Sequence, residues 1–245
     1  MNIEPFLAAA VLVGCLSPSP AETPPVRTAP LERGGDLLPP ATRALVVPGT
    51  AEADPSLLDL LGELALCTGQ KLLMDDPTRQ YLRTTSLPLL AATEVPAGEV
   101  YTFAEAILFH HGVYLAPVKG GHVPMLGVYV PNVGRGQTPM LRMNWVSVPP
   151  ETISHYLDHP ALLVETAVHL PSTEVRQLAT TMRQLWPDQY TQAMVPVGDH
   201  GVLIRGTGRD VARTVAFLLR MDEQATPRRP AEGAAPPPPA KEQGG

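Results

Sequence analysis

The seven histidines are the first place in this sequence to test for chemistry, because imidazole is the commonest metal ligand and a ready acid–base group. His110 and His111 are adjacent on a helical stretch, where neighbouring side chains point in different directions, so they suit two ligands of one ion poorly. His155 and His159 are four apart, a spacing that would bring both to one helical face for zinc. Pro160 follows directly and no third ligand lies near, so a solvated connector is the expected account. Asp75-Asp76 have the oxygen chemistry for a hard cation, but a capped turn before Pro77 explains them with less. No metal site is expected.

Two glycine patterns point equally weakly to ligands. Gly206-Thr207-Gly208 opens a helix, yet position 211 is Val, so the dinucleotide-binding spacing fails. Gly198-Asp199-His200-Gly201 has the spacing of the four-residue clamp of an RNA-binding KH domain. It joins two strands and carries an acid, so a hairpin turn is expected. No serine sits in a nucleophile elbow. Cys67 follows Leu64-Ala65-Leu66 in a leucine-rich helical run and has no cation beside it in sequence, so it is expected to be an inert small hydrophobe. No catalytic constellation is visible, no cofactor is implied, and the chain is expected not to be an enzyme.

Composition narrows the partners. The chain has 245 residues, 44% of them hydrophobic, enough for a packed core. Its net charge is −6 and its aromatic content 5%, so it lacks the basic footprint that phosphate backbones require, and nucleic acid is not an expected partner. The 29 prolines far exceed the roughly 5% of average usage. Many lie in residues 16–42, which read as an extended linker, and in residues 225–245, which read as a disordered tail built around Pro236-Pro237-Pro238-Pro239.

The cysteines number two, Cys15 and Cys67, too few for a metal cage or a disulfide framework. Cys15 ends the apolar run that begins at Phe6. That run is too short to span a bilayer and fits the apolar segment of an export signal. Leu12-Val13-Gly14-Cys15 also resembles a bacterial lipobox, which would make Cys15 a lipidation site. Glu4 stands where a signal usually carries positive charge. Residues 1–15 are read as a signal peptide, cleaved or lipidated at Cys15, and no other stretch is expected to cross a membrane.

Ala44 to Val47 reads as a strand, and Asp54-Pro55 as the start of a helix with Leu57, Leu58, Leu60, Leu61 and Leu64 on a broad apolar face. Gly69 ends it, and Lys71 to Met74 is a second strand. Asp75 to Arg83 reads as a polar stretch leading to an extended segment at Leu87. Thr102-Phe103-Ala104-Glu105 has the spacing of a capping box opening a second helix. Val113–Val118 and Met125–Val130 form a hairpin across Gly120-Gly121. After a proline-marked connector, Leu162–Val168 is a strand and Ser172 caps a helix carrying Val175, Leu178, Ala179, Met182, Leu185 and Trp186 on one face. Ala193–Val197 and Val202–Arg205 are paired strands, and a last helix turns Val211, Ala212, Val215, Leu218 and Leu219 inward. The expected fold class is α+β, as two small α/β modules at 43–130 and 160–224, joined by a connector at 131–159.

Both modules resemble the periplasmic N-terminal domains of secretins, the outer-membrane ring channels of type II and type III secretion and of type IV pili. The first resembles that family's first domain through Leu57-Leu58-Asp59-Leu60-Leu61, through Leu66-Cys67-Thr68-Gly69-Gln70-Lys71-Leu72-Leu73-Met74, and through Phe103–Leu108 before Gly112-Val113. This fold also serves as the signalling domain of TonB-dependent receptors. The second resembles the KH-like βαββα ring-building domain through Leu163–Leu170, Val202–Gly208 and Leu218-Leu219-Arg220-Met221-Asp222.

The resemblance implies an exported, non-enzymatic scaffold or adaptor. It would assemble with itself as a ring-type oligomer, or with secretion-system proteins, in a secretion or pilus-type envelope complex. Arg205, Arg209 and Arg213 of the second module are its expected interface residues. The expected location is the periplasm, with membrane contact only through the N-terminal anchor, at the outer membrane if Cys15 is lipidated. Secretins continue into a β-rich pore domain, whereas this sequence ends in its proline tail, so the chain is not expected to form a channel by itself. A lipid-anchored periplasmic sensor or ligand-binding domain is the alternative.

Overall fold

The structure, a computed structural model, describes residues 37–49, 54–87, 89–118, 124–131, 133, 144–185 and 192–225. Cys15 with the export segment, the turn at Gly120-Gly121, Trp186 and the tail beyond residue 225 lie outside the described residues.

The first module follows its leucines. Leu57, Leu60, Leu61, Leu64 and Cys67 share the inward face of α1 (Leu57–Thr68) and are almost fully buried, each leucine contributing about 1.5–3 kcal/mol. Its cap differs from the expected Asp54-Pro55. Ser56 takes that place, accepting from the Asp59 backbone N–H, while the Asp59 carboxylate accepts from the Ser56 backbone N–H at 2.8 Å. One acid at the third helical position thus satisfies both the backbone N–H and the hydroxyl of Ser56. Gly69 closes the helix at φ 70°, a left-handed conformation that favours glycine.

Around α1 run β1 (Leu45–Val47), β2 (Lys71–Leu73), α2 (Asp76–Thr84), β3 (Thr93–Val95), α3 (Val100–His110), β4 (Tyr114–Pro117) and β5 (Met125–Tyr129). β1 and β3 form one antiparallel pair, and a second sheet runs in the order β2-β5-β4 with β2 parallel to β5. Two expectations fail here. The polar stretch after Asp75 is the helix α2, capped by the Asp75 carboxylate at 2.9 Å from the Thr78 backbone N–H. It buries only Thr78 and Leu82, so no apolar run marks it. The Thr102–Glu105 spacing is no cap, because α3 already begins at Val100 and Glu105 lies buried within it.

In the second module a four-stranded sheet runs β6-β7-β9-β8, formed by β6 (Val146–Ser147), β7 (Leu163–His169), β8 (Ala193–Val197) and β9 (Gly201–Thr207). β6 pairs parallel with β7, and the other neighbours are antiparallel. β6 and a 3₁₀ turn at Ile153–Tyr156 arise from the segment read as connector. Helices α4 (Val175–Leu185) and α5 (Gly208–Ala225) complete the βαββα order. Val164, Thr166 and Val168 of β7, Val202 and Ile204 of β9 and Met194 of β8 are buried, as are Val211, Ala212, Val215 and Leu218 of α5. The alternation along the strands places every second residue on the opposite sheet face.

One core cluster runs through both modules, from Leu37 and Leu45 through Leu115 to Val164 and Leu218. Leu37, Leu38 and Ala41, at the end of the stretch read as linker, pack on it, and the Tyr101 hydroxyl donates to the Pro39 carbonyl at 3.0 Å.

Candidate functional site

The outer face of the second sheet carries the residues that β7, β9 and β8 turn away from the helices. Glu165 and Arg205 stand directly opposite each other on β7 and β9, and the Arg205 Nε donates to Glu165 Oε2 at 2.8 Å. The Arg205 guanidinium also sits 5.9 Å from the centre of the Trp145 ring, within the range of a cation–π contact. Trp145 belongs to a small cluster with Leu163, Tyr114 and Ala116, against which Tyr129 packs, so this end of the sheet face is covered by the first module. The other end is open. Ala167 is exposed and Leu203 half-buried, while Val195 and Val197 are 41% and 58% exposed.

On the opposite side of the module, α5 presents a second apolar strip. Phe217 and Met221, four residues apart and both more than 40% exposed, lie on one helical face. Arg213 and Arg220 are exposed on the same face. Of the three expected interface arginines, Arg213 therefore borders an apolar strip. Arg209 is half-buried in the first turn of α5, where its Nε donates to the Leu157 carbonyl at 3.3 Å. Arg205 is engaged in the sheet-face pair.

The residues weighed for metal or ligand binding are scattered. His110 is exposed and His111 half-buried, with ring centres 5.2 Å apart. Burial, reinforced by the neighbouring His110 charge, lowers the His111 pKa. Asp75 is occupied by its cap, and Asp76 lies 3.7 Å from Arg79. Cys67 is fully buried, its Sγ 3.4 Å from the Ala44 carbonyl. Among the described residues no group of three or more His, Cys, Asp or Glu is placed to hold a metal ion, and no helix is long and apolar enough to cross a membrane. Gly198, at φ 69°, forms the β8–β9 turn. Gly208 is required by close packing, since a Cβ there would come within 2.8 Å of the Tyr156 and His159 carbonyl oxygens.

His155 is exposed, but His159 departs from the solvated connector expected of it. Its Nδ1 lies 2.7 Å from Oε1 of Glu105, a carboxylate with no exposed surface, 54 residues upstream. The sequence spacing of Glu105 pointed to a cap and concealed this contact. A charged side chain at a helix position flanked by buried Ala104 and Leu108 was the available signal, since buried carboxylates are rare unless paired.

No family model matches the chain, and no curated protein matches it. Solved structures do show a likeness. One is the Klebsiella pneumoniae type II secretion system outer membrane complex of PulD, PulS and the PulC HR domain, at 15% identity over 69% of this chain and 26% of that chain, with a TM-score of 0.49. The chain thus spans about a quarter of the length of that similar chain. A second is the N-terminal domain of the secretin XcpQ from Pseudomonas aeruginosa, at 15% identity over 69% of this chain and 62% of that one, TM-score 0.23. A third is the InvGN0N1:SpaPQR:PrgHK assembly of the Salmonella SPI-1 injectisome, at 10% identity over 70% and 91%, TM-score 0.26. Secretin N-terminal domains are named among these structures.

Proposed function

We propose that this chain is an exported, non-enzymatic scaffold or adaptor that works by protein–protein contact in a bacterial secretion or pilus-type envelope complex. The observation that carries this reading is the pair of unlike apolar surfaces on the second module. Phe217 and Met221 of α5 face outward on one side. Val195 and Val197 of β8 face outward on the sheet. A helix strip on one copy packing on the sheet face of the next would be a head-to-tail contact, which generates a ring when the rotation closes. Arg213 would border it and Arg209 lie at its edge, while Arg205 would act through the sheet face. A small contact of this kind is weak in free solution. Anchoring at Cys15 on a periplasmic membrane surface would raise the local concentration and favour assembly.

The test is cross-linking in envelope preparations from the native host, with the linked peptides read by mass spectrometry. The reading predicts self-links or links to secretion-system proteins that include peptides 193–205 or 209–225, and their loss in Phe217→Glu. Recovery of monomer alone, or of links to a receptor through the first module, would favour a lipid-anchored sensor instead.

A further inference from the structure

The short segment His159–Leu162 is where the two modules meet, and its polar backbone groups are shared between them. The Glu105 Oε2 accepts from the backbone N–H groups of both Ala161 and Leu162 at 3.1 Å. The Leu115 N–H of β4 donates to the Ala161 carbonyl at 2.9 Å, and Leu115 and Leu162 form a parallel bridge. From the second module, the Gly208 N–H donates to the Leu162 carbonyl at 2.8 Å and the Arg209 N–H to the His159 carbonyl at 3.1 Å. Glu105 thus makes three hydrogen-bond contacts with this segment and sits on a helix of the other module.

We propose that Glu105 is a latch between the two modules, closed most tightly when His159 is charged and loosened when His159 is neutral. None of the assembly surfaces described above includes this contact. A carboxylate with no exposed surface is tolerated only where donors surround it, and removal of one donor's charge leaves it less compensated. The groups facing His159 are Glu105 from α3 and Tyr156 and Asp158 from its own turn, and the first turn of α5 meets it through the Arg209 backbone N–H. Burial opposes the imidazolium. The hydrogen bond and charge of Glu105, with the Asp158 charge, outweigh it and raise the His159 pKa above the ordinary 6.5. Closing the latch therefore favours proton uptake. Its contribution is fully present below the ordinary value and is lost as pH rises through the raised one.

Hydrogen–deuterium exchange on the full chain tests this at the amides that the latch holds. In Glu105→Gln, exchange at Leu115, Ala161 and Leu162 is expected to rise at least about tenfold, with the amides of Val202 and Ile204 and those within α1 unchanged. Unchanged exchange at the three junction amides would overturn the proposal. So would an equal rise throughout both modules, which would make Glu105 a general stability residue. A second arm needs only the natural chain and His159→Gln, and stands even if Glu105→Gln does not fold. After correction for the chemical exchange rate, protection at Ala161 and Leu162 in the natural chain is expected to fall as pH rises above the ordinary histidine value of 6.5. It should be independent of pH in His159→Gln. No fall in the natural chain, or the same fall in His159→Gln, would overturn the proton linkage.

Discussion

Arg205 donates through Nε to Glu165 Oε2 at 2.8 Å, and the two residues face each other across the β7–β9 ladder with side chains only 27% and 21% exposed. A directly opposed pair of unlike charges supports a sheet modestly, and like charges in the same positions oppose it. Arg205→Glu should therefore destabilise the second module by about 1 kcal/mol, lowering the urea midpoint. Arg213→Glu, on the exposed face of α5, should leave that midpoint within about 0.5 kcal/mol of the natural chain. Loss of assembly in Arg213→Glu would then report on the surface, whereas loss in Arg205→Glu would report partly on the fold. Equal denaturation midpoints for the two variants would contradict this division.

The α1 cap gives a prediction with a defined pH sense. Ser56→Ala removes the side chain that accepts from the Asp59 N–H and donates to Asp59 Oδ2 at 2.7 Å, and should cost about 1 kcal/mol at neutral pH. Backbone and side-chain hydrogen bonds from Ser56 lower the Asp59 pKa below 3.8. The folded-state value is depressed, so its contribution is present above the ordinary value and lost as pH falls through the lowered one. Urea titrations near neutrality and near pH 3 should show the gap between Ser56→Ala and the natural chain narrowing in acid. A gap that widens in acid would be incompatible with the cap.

Severing the modules should expose what the junction covers. Tyr114 and Ala116 pack against Trp145 and Leu163, and Leu115 bonds to Ala161. A fragment of residues 37–131 would retain its leucine core while leaving these groups and the Glu105 carboxylate without their partners. Its thermal midpoint should lie well below the main transition of the full chain, by roughly 4–8 °C for each 1 kcal/mol lost in a domain of this size. An equal midpoint would mean that the junction adds nothing to the first module.

The elements with repeated apolar spacing were legible in sequence. Leu57 to Leu64 and Val211 to Leu218 each mark an inward helical face that the structure reproduces, whereas Leu219, expected inward, is exposed because it lies one position beyond that face. The βαββα order of the second module follows from short apolar runs such as Val202-Leu203-Ile204 between turn residues. What escaped was set by few residues or by distant ones. α2 turns inward only at Thr78 and Leu82, with Tyr81 half-buried, and β3 buries only Val95. Glu105 matched a local capping rule while its actual partners, His159, Ala161 and Leu162, lie more than 50 positions away. A local pattern cannot distinguish an acid that reaches back one turn from one that reaches across to another module. Among the surface residues, sequence resemblance drew attention to Arg205, Arg209 and Arg213. The apolar strip of Phe217 and Met221 became visible only once the buried side of α5 was fixed.

The polarity of the assembly is read by cysteine pairing between differently labelled copies. Cys67 is fully buried, so with Cys15→Ser the engineered thiols are the accessible ones. One preparation carries Val197→Cys on β8 and the other Phe217→Cys on α5, both at outward-facing positions. If the α5 strip of one copy packs on the sheet face of the next, the contact is head-to-tail, and a patch meets an unlike patch. Oxidation of the mixture should then yield a covalent dimer, because a disulfide needs Cα atoms within about 7 Å. Either preparation alone should yield little. A two-fold symmetric dimer in which a patch meets its own copy behaves differently, because each preparation alone would then link. Efficient linking of Val197→Cys chains to each other, or of Phe217→Cys chains to each other, would replace the ring-type contact with a closed dimer. A mixture that links no better than either preparation alone, at concentrations where the chain self-associates, would remove the helix-on-sheet contact altogether. Adding Met221→Glu to the Phe217→Cys chain supplies the control. A charge within the strip should cut the mixed link at least about tenfold, as expected for a buried interface position worth about 1.4 kcal/mol or more.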